Sequence, residues 1–185
     1  MPRIEIRNQF SLYNDLVKHP KVIQSEKIFL EEKGSNKKWL SKSTNAFLSS
    51  LDANVSFIVE CRKSEINYYG IKLRYPPLIP LPYFRLDSDG PAHRNMMSYI
   101  PLEKQLVTTP HFNCFDKEGN EFAYKTKELE NPVEAAAICK NINFGIAHFC
   151  NETNSGCANE DYPVIEGIDF ETILLDPLES IKFED

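Results

Sequence analysis

Residues 54–75 read Asn-Val-Ser-Phe-Ile-Val-Glu-Cys-Arg-Lys-Ser-Glu-Ile-Asn-Tyr-Tyr-Gly-Ile-Lys-Leu-Arg-Tyr. Val55, Phe57, Val59 and Cys61 alternate with Ser56, Glu60 and Arg62, and Tyr69, Ile71, Leu73 and Tyr75 share one side of a second run. Such two-residue alternation places successive side chains on opposite faces of a strand. With a turn at Ser64-Glu65 between the runs, the stretch predicts a half-buried antiparallel hairpin.

Downstream, Pro76-Pro77-Leu78-Ile79-Pro80-Leu81-Pro82 can be neither helix nor central strand and predicts an extended connection. Tyr83 to Asp87 then reads as a third strand, ended by Ser88-Asp89-Gly90-Pro91. Residues 105–115 carry a fourth, and the turn Asp116 to Asn120 leads into residues 121–126, completing a second hairpin. A helix follows. Asn131 is suited to cap it, Pro132 to its first position and Glu134 to a capping box. Its body runs from Ala135 to Cys150, with Ala136, Cys139, Ile142, Ile146, Phe149 and Cys150 on one side. Residues 151–163 predict a polar loop, and Ile165 to Leu175 fits an edge strand or a final helix.

Upstream, Leu12, Leu16 and Val17 form one helical stripe within residues 9–18, stopped by Pro20. Residues 21–32 fit a strand or a short helix, and Trp39, Leu40, Phe47 and Leu48 suggest a second amphipathic helix. The order predicts an α+β protein with an antiparallel sheet of about four or five strands (two hairpins) and helices before and after it. Residues 1–50 would be a helical extension packed on the core, 51–155 the core, and 156–185 an acidic C-terminal segment.

The 185 residues, 42% hydrophobic and 26% charged, suit a single globular unit. No apolar run reaches the roughly 18 residues of a membrane span, and Arg3, Glu5 and Arg7 interrupt any secretory leader at the start. A cytoplasmic protein with no membrane association is expected. Five cysteines, an odd number at irregular spacings, read as free thiols. His148, Cys150 and Cys157 could be half of a zinc site, but no ligand pair has the spacing of a complete one, so no metal or cofactor is expected. The net charge of -6 is uneven: residues 160–185 hold nine acidic residues against Lys182, while residues 1–75 hold 13 Lys+Arg against 8 Asp+Glu. The acidic segment could dock on the basic body or bind a protein partner.

Between Tyr83 and Phe115 lie Arg85, Asp87, His93, Arg94, Asn95, His111 and Asn113, which include two of the four histidines. Arg85 and Asp87 share a strand face, as do His111 and Asn113, while Phe84, Leu86, Phe112 and Cys114 point the other way. If the two strands are neighbours, the four polar residues share one surface with His93 on the loop between. The catalytic candidates are His93 and His111 as acid and base, with Asp87 orienting an imidazole; Arg85, Asn95 and Asn113 are candidates for phosphate or ligand binding. A metal site from His93, His111 and Asp87 is conceivable. The contrasting reading is a structural polar network of ion pairs.

The order Arg85-Leu86-Asp87, His93-Arg94-Asn95, Pro110-His111-Phe112-Asn113, followed by Gly119 and Ala123, resembles an uncharacterised family of small bacterial proteins with R-x-D, H-x-N and P-H motifs before a hairpin and a helix. More remotely it is similar to TumE-type toxins. The likeness spans roughly residues 62–150 and carries over Arg85, Asp87, His93 and His111. It implies toxin–antitoxin or phage-defence biology and a metal-independent ribonuclease or RNA-binding enzyme. The alternative is a non-catalytic interaction protein, antitoxin-like or a phage-encoded inhibitor, that binds a protein partner.

Overall fold

A computed structural model describes residues 2–34, 36–96 and 100–167. Helices α1 (Ile4–Asn8) and α2 (Phe10–Lys18) open the chain. Strands β1 (Lys21–Ile23), β2 (Lys27–Phe29), β3 (Glu31–Lys33), β4 (Asn36–Leu48), β5 (Ala53–Arg62), β6 (Glu65–Arg74), β7 (Pro82–Asp87), β8 (His93–Arg94), β9 (Leu106–Val107), β10 (His111–Phe115) and β11 (Glu121–Tyr124) follow. After α3 (Lys127–Glu130), α4 (Pro132–Lys140) and α5 (Ile142–Glu152) come β12 (Ser155–Cys157) and β13 (Val164–Glu166).

The main sheet has nine strands in the order β11-β10-β7-β6-β5-β4-β1-β12, with β3 also paired to β4. All its pairings are antiparallel except β1 with β12. The α+β class holds, but the sheet is twice the four or five strands expected. The difference arises on the side of β5 away from β6. Residues 36–48, where a helix was expected over Trp39 to Leu48, form one long strand. Their paired apolar residues fit either period, but Ser41, Ser43 and Thr44 favour helix poorly, and ten residue pairs with β5 decide the outcome. Among the described residues of 1–50, α-helix is confined to Ile4–Asn8 and Phe10–Lys18, and Lys21–Leu48 contributes strands. The loop expected at 151–163 contains β12, which pairs with β1. Val164–Glu166 is a strand paired with β2; the rest of the ambiguous Ile165–Leu175 stretch, and the acidic segment from residue 168, lie outside the described residues.

The predicted hairpin at 54–75 is β5 and β6, paired from Ser56↔Arg74 to Cys61↔Tyr69. The proline-rich connection is compact instead of extended: Leu78 N donates to the Tyr75 carbonyl at 3.0 Å, Leu78 and Ile79 are buried, and the chain returns so that β7 runs antiparallel beside β6.

One face of the sheet carries the aromatic core. Phe57, Phe84 and Phe112 meet Phe149 of α5 at ring-centroid distances of 5.9, 5.8 and 6.2 Å. The single helix expected from Pro132 to Cys150 is broken at Asn141, whose extended backbone ends α4 and whose side chain accepts from Asn143 N at 2.9 Å to start α5. The bend brings both helices onto Tyr69, whose hydroxyl donates to the Ile138 carbonyl at 2.6 Å. A Cβ at Gly145 would collide with that same hydroxyl, so glycine is required for the close approach. Asn131 caps α4 as its sequence suggests, accepting from Val133 N at 2.9 Å.

The opposite face is covered by α2 only at one end. There Tyr13 packs edge-on against Tyr83 and Phe115, Tyr83 donates to the Leu16 carbonyl at 3.1 Å, and Phe115 N donates to the Tyr13 hydroxyl at 2.9 Å. Farther along the same face the side chains become polar.

Candidate functional site: a polar cleft on the open face

Strand register assembles the cluster. His111 pairs with Asp87 and Asn113 with Arg85 between β10 and β7; Asp87 pairs with Gly70 and Arg85 with Lys72 between β7 and β6; Gly70 pairs with Glu60 of β5. Residues in register across neighbouring strands point to the same face, so one row runs His111, Asp87, Gly70, Glu60. Arg85, Asp87, His111 and Asn113 therefore share the surface that alternation anticipated. His93, on β8, lies above it with its ring centroid 6.3 Å from that of His111.

Glu60, Gly70, Arg85, Asp87, His93 and His111 line a cleft of about 310 Å³ together with Trp39, Tyr68, Asp89 and the Pro91-Ala92 segment, while Asn113 stands beside it, hydrogen-bonded to Asp87. The volume lies at the small end for a ligand site, where roughly 300–1,000 Å³ is usual. Gly70 leaves a gap in the floor between two carboxylate-bearing positions. The reason is openness, not clash: a Cβ there would meet only ordinary contacts, the nearest at 3.5 Å from Lys72 Cε.

Asp87 is the hub. Its Oδ2 accepts from Asn113 Nδ2 at 2.8 Å, lies 3.0 Å from Arg85 Nε, and is 3.8 Å from His111 Nε2. The last distance is too long for a hydrogen bond. Asp87 thus acts on His111 through space, favouring the ring once it is protonated. Arg85 also lies 3.3 Å from Glu121, so its guanidinium is shared between two carboxylates.

His111 is only 2% exposed. Burial lowers its pKa from the ordinary imidazole value, while Asp87 and the Thr108 backbone oppose that shift and His93 and Arg85 reinforce it. That direction favours the neutral ring, the form that suits a base. Glu60 behaves differently. Burial pushes its carboxyl up, but hydrogen bonds from Lys33, at 2.6 Å, and from Lys72 prevail and hold it below the usual range.

Among the described residues, the buried side-chain nitrogen and oxygen atoms without a hydrogen-bond partner are Arg85 Nε, His111 Nδ1 and Asn113 Oδ1. All three belong to this cluster. Buried polar atoms are almost always satisfied, so three exceptions in one cluster set it apart from the rest of the described core. Arg85 Nε retains its ion-pair proximity to Asp87, and the His111 ring lies beside the Thr108 backbone; Asn113 Oδ1 meets no hydrogen-bond donor among the described residues.

Asn95 stands apart. Its Nδ2 donates to the Ala123 carbonyl at 2.8 Å and its Oδ1 accepts from Ala123 N at 2.7 Å, so the side chain is spent as a surrogate strand on the edge of β11. Trp39, Tyr68, Glu60 and Gly70 were not singled out from sequence. Glu60 was legible, because alternation in β5 set it opposite Val59; the strand order that makes it a neighbour of the cluster was not. Trp39 was hidden by the helical reading of its segment.

No three His, Cys, Asp or Glu side chains among the described residues converge as a metal-binding group. His148, weighed above for zinc, has Nε2 2.9 Å from the Thr126 hydroxyl. All five cysteines are free thiols. No helix among the described residues is long and apolar enough to cross a membrane. The chain matches no protein-family model, no curated protein and no solved structure. The likeness to the small bacterial proteins and TumE-type toxins therefore rests on the motif residues alone.

Proposed function

We propose that the cleft is a metal-independent acid–base site that cleaves RNA. The observation that supports this most is the pair of imidazoles 6.3 Å apart in one cleft, one of them buried and favoured in its neutral form. In this reading neutral His111 takes the proton of a ribose 2′-hydroxyl. The freed oxygen bonds to the adjacent phosphorus as the bond from phosphorus to the 5′ oxygen breaks. Protonated His93 gives its proton to that departing oxygen, leaving a 2′,3′-cyclic phosphate and a 5′-hydroxyl. Asp87 stabilises the imidazolium formed at His111, and Arg85 faces the phosphoryl oxygens from beside it. Toxin-like or phage-defence biology is the setting that the motif resemblance suggests.

The test compares the wild type with a His93→Ala/His111→Ala variant. The wild type should inhibit growth on expression, degrade RNA with or without EDTA, and leave cyclic-phosphate ends. The variant should lose at least about a thousandfold in cleavage, since each acid or base typically contributes roughly 10²–10⁴. Equal RNA integrity with the two proteins would end the reading and leave a non-catalytic interaction protein in its place.

A further inference from the structure

Trp39 has two sides. One faces the cleft just described; the other borders a separate hollow of about 620 Å³ lined by Lys37, Lys38, Arg62, Lys63 and Ser64. The hollow is built on paired strands, with Trp39 in register with Arg62 and Lys63 N donating to the Lys38 carbonyl at 2.9 Å. The Arg62 guanidinium lies 4.2 Å from the Tyr68 ring centroid and 6.0 Å from that of Trp39, whose rings meet edge-on at 5.6 Å. Arg62 and Lys63 are partly compensated by Glu65 at 3.4 Å and Glu32 at 2.6 Å. Lys37 and Lys38 are exposed and form no ion pair among the described residues. In a chain of net charge -6, this leaves a local cationic patch that adjoins two aromatic rings and an arginine plane.

We propose that this hollow is a binding track for single-stranded RNA, which passes Trp39 to enter the cleft. The inference rests on the nucleic-acid reading of the cleft and assigns the substrate its path. Lys37 and Lys38 neutralise backbone phosphates, and the Trp39–Tyr68–Arg62 group supplies faces on which bases stack. Those two elements together are what single-strand recognition requires. A duplex would not present its base faces to such a platform.

Trp39 is the only tryptophan in the chain, so its fluorescence reports on the track directly. The full-length protein is titrated with a 2′-O-methyl oligonucleotide, which lacks the reacting hydroxyl and stays intact. Quenching of Trp39 should accompany binding. Lys37→Ala/Lys38→Ala should weaken binding about tenfold and flatten the salt dependence by about 1.4 in log–log slope, at roughly 0.7 per phosphate contact for a single strand. With a fluorescein-labelled oligonucleotide, Trp39→Leu should weaken binding about ten- to a hundredfold, the range of losing one stacked base; circular dichroism confirms that each variant is folded. Unchanged affinity in both variants overturns the track, as does equal quenching by polyglutamate, which would assign the hollow to acidic protein. The two proposals fail separately. Binding without cleavage of ordinary RNA removes the acid–base chemistry and keeps the track; cleavage by a protein whose Trp39 is not quenched removes the track and keeps the chemistry.

Discussion

Lys21 and His111 are both 2% exposed, yet their surroundings are opposites. The Lys21 ammonium donates to the carbonyls of Val17, His19 and Thr153 at 2.9, 2.7 and 2.6 Å, so each of its three protons has an acceptor. These carbonyls lie at the C-terminal ends of α2 and α5, where cations are favoured. Burial draws the pKa of Lys21 down to about 7, but the three acceptors give the charged form a complete set of partners. His111 lacks that completeness, as do Asn113 and Arg85 beside it. A saturated buried charge holds elements together. An unsaturated polar group at the wall of a cleft carries an unmet bonding capacity, which the proposed acid–base reading assigns to substrate.

If this contrast is sound, variants of the two sites should fail in different currencies. The largest effect falls on activity: the His93→Ala/His111→Ala protein should lose about a thousandfold or more in RNA cleavage while its urea midpoint shows it still folded. Next comes Lys21→Met. It leaves three buried carbonyls unpaired and should cost about 3 kcal/mol, read as a lower urea midpoint, with cleavage per folded molecule unchanged. A fall in specific activity at full stability would break the comparison. Gly70→Val probes the cleft floor. It should lower activity about tenfold, within the roughly 1–3 kcal/mol typical of a misfitting pocket group, and should not destabilise the strand, since glycine in a strand interior already weakens it.

The smallest effect is on pH. Asp87 opposes the downward shift of His111, so Asp87→Asn should lower the imidazole pKa further and move the acidic limb of the cleavage profile to lower pH. An acidic limb that moves upward would overturn the assignment of His111 as base. The same depressed pKa affects stability. Below the unfolded value near 6.5 the unfolded chain binds the proton more readily than the native one, so this contribution is present above 6.5 and lost as pH falls through the folded value.

Sequence disclosed the parts of the fold whose partners are close along the chain. Alternation identified β5 and β6 because one short turn joins them, and it put Arg85 with Asp87 and His111 with Asn113 on single strand faces; that the four share one surface was conditional on the pairing of β7 with β10. It did not disclose β1 beside β12, where Lys21 meets Ser155 across most of the chain, since nothing local in either three-residue strand specifies a parallel partner. Trp39 and Leu40, with Phe47 and Leu48, satisfy a helical period as well as a strand, and only the neighbour β5 resolves them. Asn141 looked like one more polar position in a long helix; its capping bond to Asn143 makes it an end and a beginning. The cleft inherited these gaps: its polar half was visible, and its aromatic wall was not.

The bend at Asn141 reaches farther than the helices. Ile138 accepts from Tyr69, and Cys139 Sγ donates to the Ser88 carbonyl at 3.3 Å, while Ser88 Oγ accepts from Tyr69 N at 2.8 Å. Tyr69 immediately precedes Gly70, and Ser88 immediately follows Asp87. The floor of the cleft is thus bolted from behind, through the thickness of the sheet, to the α4–α5 elbow. A floor anchored in this way has its shape set before anything enters the cleft, so a substitution at the elbow would be expected to shift Gly70 and Asp87 together.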